Sequence, residues 1–140
     1  MRRARNWIDD VSIGYQCRDW VKKQHPAIQG HVRRVGRSEL RLCAPVEGEL
    51  WYGVAKNAKV EENRVRLLTL LSWLPSLPFA GEATQRFGEI RAYLARQGMP
   101  IGPYDTQIAA IALAHDLTLV TANTGEFRRV SELRVENWTS

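Results

Sequence analysis

The sequence predicts a three-layer α/β fold, a central and mostly parallel sheet with helices on both faces. Two observations predict it. Short runs with strand character are separated each time by segments with helical spacing, and strands joined through helices pair in parallel and need cover on both sides. The 140 residues are 44% hydrophobic and 25% charged, which suits one globular domain, 1–140, able to bury a core without staples.

Taken in order, NWIDD (6–10) is an apolar stub closing on two acids, a first strand ending near Asp10. GYQCRDWVKKQ (14–24) has helical spacing, and Pro26 opens a second helix, PAIQGHVRRV, that stops at Gly36. ELRLCAPV (39–46) alternates and predicts a strand, and EGELWYGVAKN (47–57) a helix. EENRVRLLTLLSWL (61–74) has strong helical periodicity and is halted by Pro75. LPF (77–79) predicts a brief strand, and GEATQRFGEIRAYLARQG (81–98) a long amphipathic helix with Gly98 as its stop. After Gly102-Pro103 come a helix over 103–115, the strand LTLVTA (117–122) and a last strand in LRVENW (133–138).

No apolar run approaches the roughly 20 residues needed to cross a bilayer. MRRARNWIDD carries charge but no apolar core, so it is not a secretory signal, and the expected compartment is the cytoplasm. Cys17 and Cys43 lack C-x-x-C spacing, and His25, His31 and His115 lack metal-ligand spacing. His115 is expected to end a helix, where positive charge is welcome. The formal charge is +5, with Arg2, Arg3, Arg5, Lys22, Lys23, Arg33, Arg34, Arg37 and Arg41 crowding the first third. Such an excess suits a phosphate-rich partner, although many basic surfaces bind nothing.

In a parallel layer each strand ends on one edge of the sheet and the next helix begins there, the edge where such folds place ligands. Asp10 follows the first strand, Glu49 lies in the early turns of the next helix, and Asp105 heads the helix before LTLVTA. Asn123 and Glu126 fall just past that strand, so all five map to one edge. Taken singly, Asp105 also suits a helix N-terminus, and Asn123 a turn. Together, three carboxylates held close repel unless a cation sits between them. Oxygen ligands without Cys or His point to Mg²⁺, with Mn²⁺ as a substitute, rather than zinc. With a basic surface, that chemistry suggests phosphodiester hydrolysis.

At these residues the chain resembles a PIN-domain ribonuclease toxin of the VapC type, over roughly Val35 to Trp138. VEGELWYGVAKN is similar to the family's E-L-x-Y-G segment and places the second acid at Glu49. GPYDTQIAAIALAHDLTLVTANTGEFRRVSELRVENW is similar to its C-terminal signature, with the third acid at Asp105 and the fourth position at Asn123, Glu126 nearby. The family opens with D-T-N or D-T-S; here IDDVSI supplies Asp10 and Ser12, with Val11 in place of threonine. Asp9 is the rival first acid, and Asp10 is preferred because Ser12 and Ile13 then follow in register.

The resemblance implies a PIN-like fold and a magnesium-dependent endoribonuclease, the toxin of a type II toxin–antitoxin pair. It implies Asp10, Glu49, Asp105, Asn123 and Glu126 as catalytic residues, Asp10 and Asp105 as metal ligands, and Ser12 and Thr121 as substrate contacts. Implied partners are RNA, a VapB-type antitoxin and a second copy of the chain. The helices carrying RVRLLTLLSWL and YGVAKN offer apolar surface for dimerisation or antitoxin docking, or are simply core. Trp51 and Trp73 are expected in the core, and Trp20, beside Lys22 and Lys23, is the tryptophan placed to stack on RNA. Two other classes compete. A phospho-accepting receiver module fits Asp9-Asp10, but no aspartate ends LPF and no lysine follows LTLVT. A catalytically weak or silent PIN-fold protein that binds antitoxin or RNA is the second.

Overall fold

The computed structural model describes residues 6–8, 26–121 and 123–138. Asp9, Asp10, Ser12 and Trp20, and the helix expected over 14–24, lie outside them. The element order is β1 (Asn6–Ile8), α1 (Pro26–Val35), β2 (Leu40–Cys43), α2 (Ala44–Ala55), α3 (Val60–Trp73), β3 (Ser76–Leu77), α4 (Glu82–Arg96), α5 (Pro103–Ala114), β4 (Thr118–Val120), α6 (Thr124–Phe127) and β5 (Val135–Glu136).

Among the described residues the sheet has five strands in the order β3-β2-β1-β4-β5, every neighbouring pair parallel. The chain builds outward from β1 to β3, then returns to the other side of β1 for β4 and β5. Right-handed crossovers therefore place the helices before β3 on one face and those after it on the other. The reversal makes β1 and β4 a topological switch point, registered through Ile8 against Val120. In sheets of this kind, ligands bind outside the carboxyl ends of the strands at such a point.

Pro26 opens α1, and Gly36, at φ 95°, ends it in a conformation that a side chain would strain. Proline also moves a predicted boundary. The strand expected over 39–46 stops at Cys43, because Pro45 sits in the first turn of α2, where its missing N–H costs nothing. The strand expected at LPF is instead Ser76–Leu77; Leu42 donates to the Pro75 carbonyl, and Pro78 cannot donate to a ladder. The strands at LTLVTA and LRVENW shorten to three and two residues. A one-turn helix, α6, appears in a stretch where the sequence predicts no element.

The core is built around α5. Ile108, Ala109, Ala110, Ile111 and Ala112 are buried, so this helix is apolar on nearly every side, as a helix enclosed between layers must be. Its alanines let α4, through Ile90 and Leu94, and β4, through Leu119 and Val120, approach closely. The α3 periodicity is only partly spent on the core: Leu67, Leu70 and Leu74 are buried, while Val65 and Leu68 stay exposed. Trp51 and Trp73 are half-buried against the core, and Trp138 is fully enclosed, stacked on His31 at 4.9 Å. Among the described residues no helix is long and apolar enough to cross a membrane.

Candidate active site

Four of the expected site residues fall among the described residues at the carboxyl edge of the sheet, together with Thr121. Glu49 lies in the second turn of α2, beyond the reach of the helix dipole, and is half-buried. Among the described residues it has no hydrogen-bond or ion-pair partner. Its neighbour Glu47, by contrast, accepts a hydrogen bond from Trp51 Nε1 at 3.0 Å. A half-buried carboxylate on a rigid helix, without a partner among the described residues, is placed as cation ligands are.

Asp105 is half-buried in the first turn of α5. It is not the helix cap. Gly102 holds that position, Pro103 fills the first turn, and Thr106 returns both its amide (2.9 Å) and its hydroxyl (2.8 Å) to the Gly102 carbonyl. The start of α5 is thus secured by Gly102, Pro103 and Thr106. The exposed N–H groups there favour the charge of Asp105. Helices α2 and α5 touch, so both acids are carried by elements in contact.

The segment after β4 supplies the rest. Thr121 is buried, donates its amide to the Glu136 carbonyl and accepts the Asn123 amide on Oγ1 at 3.0 Å. It shapes the turn that presents Asn123. Asn123 is exposed immediately before α6, and Glu126 is half-buried within it. Phe127 anchors α6 in the core. Arg129 was not anticipated. Its Nη1 donates to the Pro100 carbonyl at 3.0 Å, linking the segment beyond α6 to the one that leads into Asp105. A single arginine in a polar run carries no periodic signal, so only the fold reveals this strut.

Every described side chain of this rim that could bind a cation does so through oxygen, which fits a hard divalent ion such as Mg²⁺ better than zinc. Among the described residues no group of three or more His, Cys, Asp and Glu side chains forms a metal cage. Glu49 and Asp105 therefore need a further acid, and Asp10, two residues beyond β1 in the sequence, lies outside the described residues. The donor chemistry fits.

Comparison with known proteins decides the family. The PIN domain model matches residues 19–133. This chain belongs to the PIN-domain family. Its relatives place it among VapC-type members. It is 43% identical over 117 residues to the tRNA(fMet)-specific endonuclease VapC of Shigella flexneri, covering 84% of this chain and 89% of that protein. It is 43% identical over 99 residues to ribonuclease VapC2 of Rickettsia felis, covering 71% and 74%. Among solved structures, DNA-bound VapBC from Salmonella typhimurium superposes with a TM-score of 0.84 at 31% identity, covering 96% of this chain and 98% of that one. The PIN-like fold expected from the sequence is borne out, and so is the VapC-type resemblance.

Proposed function

We propose that this protein is an endoribonuclease toxin that hydrolyses RNA phosphodiester bonds with Mg²⁺, or Mn²⁺ in its place, and is silenced by a VapB-type antitoxin in the cytoplasm. The observation that carries the reading is Glu49, half-buried and without a partner among the described residues, on a helix that touches the one presenting Asp105. The relatives' names, ribonuclease and tRNA(fMet)-specific endonuclease, support the reaction class, and tRNA(fMet) is the first substrate to try.

Asp10 and Asp105 would hold the ion and Glu49 would orient the attacking water and take its proton on a carboxylate oxygen. When bound, the ion supplies charge neutralisation at the phosphate and a more acidic water. Asn123, exposed and neutral, can donate its side-chain amide to a phosphate or ribose oxygen without repelling it. Glu126 restores a negative charge one turn on. Ser12 and Thr121 complete the substrate contacts, Thr121 acting through the Asn123 turn it holds. The exposed Val65 and Leu68 of α3 and Tyr52 of α2 form the apolar surface for the antitoxin or a second copy of the chain.

The test is cleavage of tRNA(fMet) by the purified protein. We expect cleavage with Mg²⁺, none with EDTA, and none by Asp105→Asn, which removes a charge without changing size. Undiminished cleavage by that variant would refute the assignment. Binding of RNA without cleavage at any divalent concentration would favour the silent-protein reading.

A further inference from the structure

Residues 33–41 carry four arginines, Arg33, Arg34, Arg37 and Arg41. The fold puts Arg33 and Arg34 at the end of α1, Arg37 in the 3₁₀ turn Arg37–Glu39, and Arg41 at the start of β2. They therefore sit at the amino edge of the sheet, opposite the carboxylate rim. Elsewhere Arg64, Arg66, Arg86 and Arg134 each bridge a carboxylate. Among the described residues Arg33, Arg34 and Arg41 bridge none, although Glu39 lies in the same turn. Two of the four are instead seated on aromatic side chains. Arg34 donates to His31 Nδ1 at 2.6 Å, and the His31 ring stacks on Trp138. The Arg37 guanidinium lies 4.3 Å from the centre of the Trp73 ring. Arg41 donates to the Ser38 and Leu40 carbonyls and holds the turn.

The helix dipole accounts for Arg33 and Arg34 at the end of α1, at about 0.3–1 kcal/mol each. It does not account for Arg37 and Arg41, which lie beyond the helix. Arg33 and Arg34 are exposed side by side on an ordered helix end, and adjacent like charges so held are suited to gripping polyphosphate. Arg2, Arg3 and Arg5, outside the described residues, precede β1 in the sequence and add to the same charge excess.

We propose that this edge binds the phosphate backbone of a structured RNA substrate at a distance from the point of cleavage. The inference rests on the ribonuclease reading and deepens it. Helix α5 runs from the carboxylate rim to the amino edge, and its 12 residues span about 18 Å. That separation corresponds to roughly five steps of a stacked strand at about 3.4 Å each. A tRNA-sized molecule reaches both places; a hexanucleotide centred on the cleaved bond reaches only the rim.

The experiment compares the full chain with an Arg33→Ala/Arg34→Ala variant on both substrates, across salt concentrations. On tRNA the variant should show a KM raised about tenfold with kcat unchanged, and a salt slope lower by about 0.9 per arginine lost. The hexanucleotide should be cut equally by both proteins. Arg37→Gln should give a smaller change of the same kind. Equal KM and salt slope on tRNA would overturn the proposal, as would a matching loss on the hexanucleotide, which would mean that the arginines act through the fold. Loss of antitoxin binding with RNA binding intact would assign the edge to protein and also overturn it. If the unmodified chain cleaves neither RNA, the ribonuclease reading fails, and fluorescence anisotropy with labelled tRNA still decides whether the arginines bind RNA.

Discussion

Glu49→Gln separates the electrostatics of the site from its chemistry. The glutamine keeps size and helix propensity, and Glu49 lies beyond the first turn of α2, so no dipole stabilisation is lost. It has no partner among the described residues whose loss would mask the effect. What changes is repulsion from the other acids of the proposed cation site. For two charges 4 Å apart this runs from about 1 kcal/mol in water to about 4 kcal/mol at an effective dielectric of 20. Half-burial and solvent screening argue for the lower figure. In EDTA the variant should therefore be more stable than the natural chain by about 1 kcal/mol, or about 3 °C in Tm for a chain this long.

Divalent ions should narrow that difference. At a Mg²⁺ concentration 100 times its Kd the natural chain gains about 2.7 kcal/mol. Removing one nearby negative charge at a cost of about 1.4 kcal/mol weakens the ion tenfold, so at the same concentration the variant gains only about 1.4 kcal/mol. Differential scanning fluorimetry with EDTA and with a Mg²⁺ series reads both quantities. Cleavage should fall by at least about 100-fold, as expected when a positioned proton acceptor is lost. A variant less stable than the natural chain in EDTA, with an unchanged response to Mg²⁺, would show that Glu49 does not share a cation site.

Three other substitutions test parts of the frame. Phe127→Ala empties a fully buried position beneath α6 and should cost about 3–5 kcal/mol, seen as a lower midpoint in urea unfolding; a loss under 1 kcal/mol would mean α6 is not anchored there. Arg129→Gln removes the donor to Pro100, so kcat should drop several-fold while Tm falls by no more than about 4 °C, the effect of one hydrogen bond. Val65→Glu with Leu68→Glu places charge on exposed positions of α3, which should leave stability within about 0.5 kcal/mol yet abolish co-purification with the antitoxin or dimerisation in gel filtration.

Much of this arrangement was legible in the sequence because the signals were local. Pro26 and Gly36 bracket α1 as expected, and Gly98, at φ 68°, lies just past the end of α4. The placement of Glu49, Asp105, Asn123 and Glu126 on one edge followed from alternation of strands and helices alone. The errors have physical causes as well. The alternation in ELRLCAPV carries through Pro45 to Val46, whereas Pro45 sits in the first turn of α2 because its missing N–H falls where no partner is needed. The one-turn α6 is too short to show a period, and its existence depends on Phe127 finding the core. The Arg129 contact joins positions 29 residues apart, and no local pattern encodes it.

The strand order explains why acids so distant in the chain can serve one reaction. Because β1 is central and β4 adds on its far side, these two strands form the topological switch point of the sheet. The heads of α2 and α5 both lie at the carboxyl edge, since α2 leaves β2 directly and α5 must start there to deliver the chain to the opposite edge, where β4 begins. Glu49 and Asp105 therefore share one edge through topology rather than through any attraction between them, on helices that touch. A sequence could keep this core while losing the acids and would still fold, more stably in the absence of metal. That asymmetry makes the response of stability to Mg²⁺ the discriminating measurement.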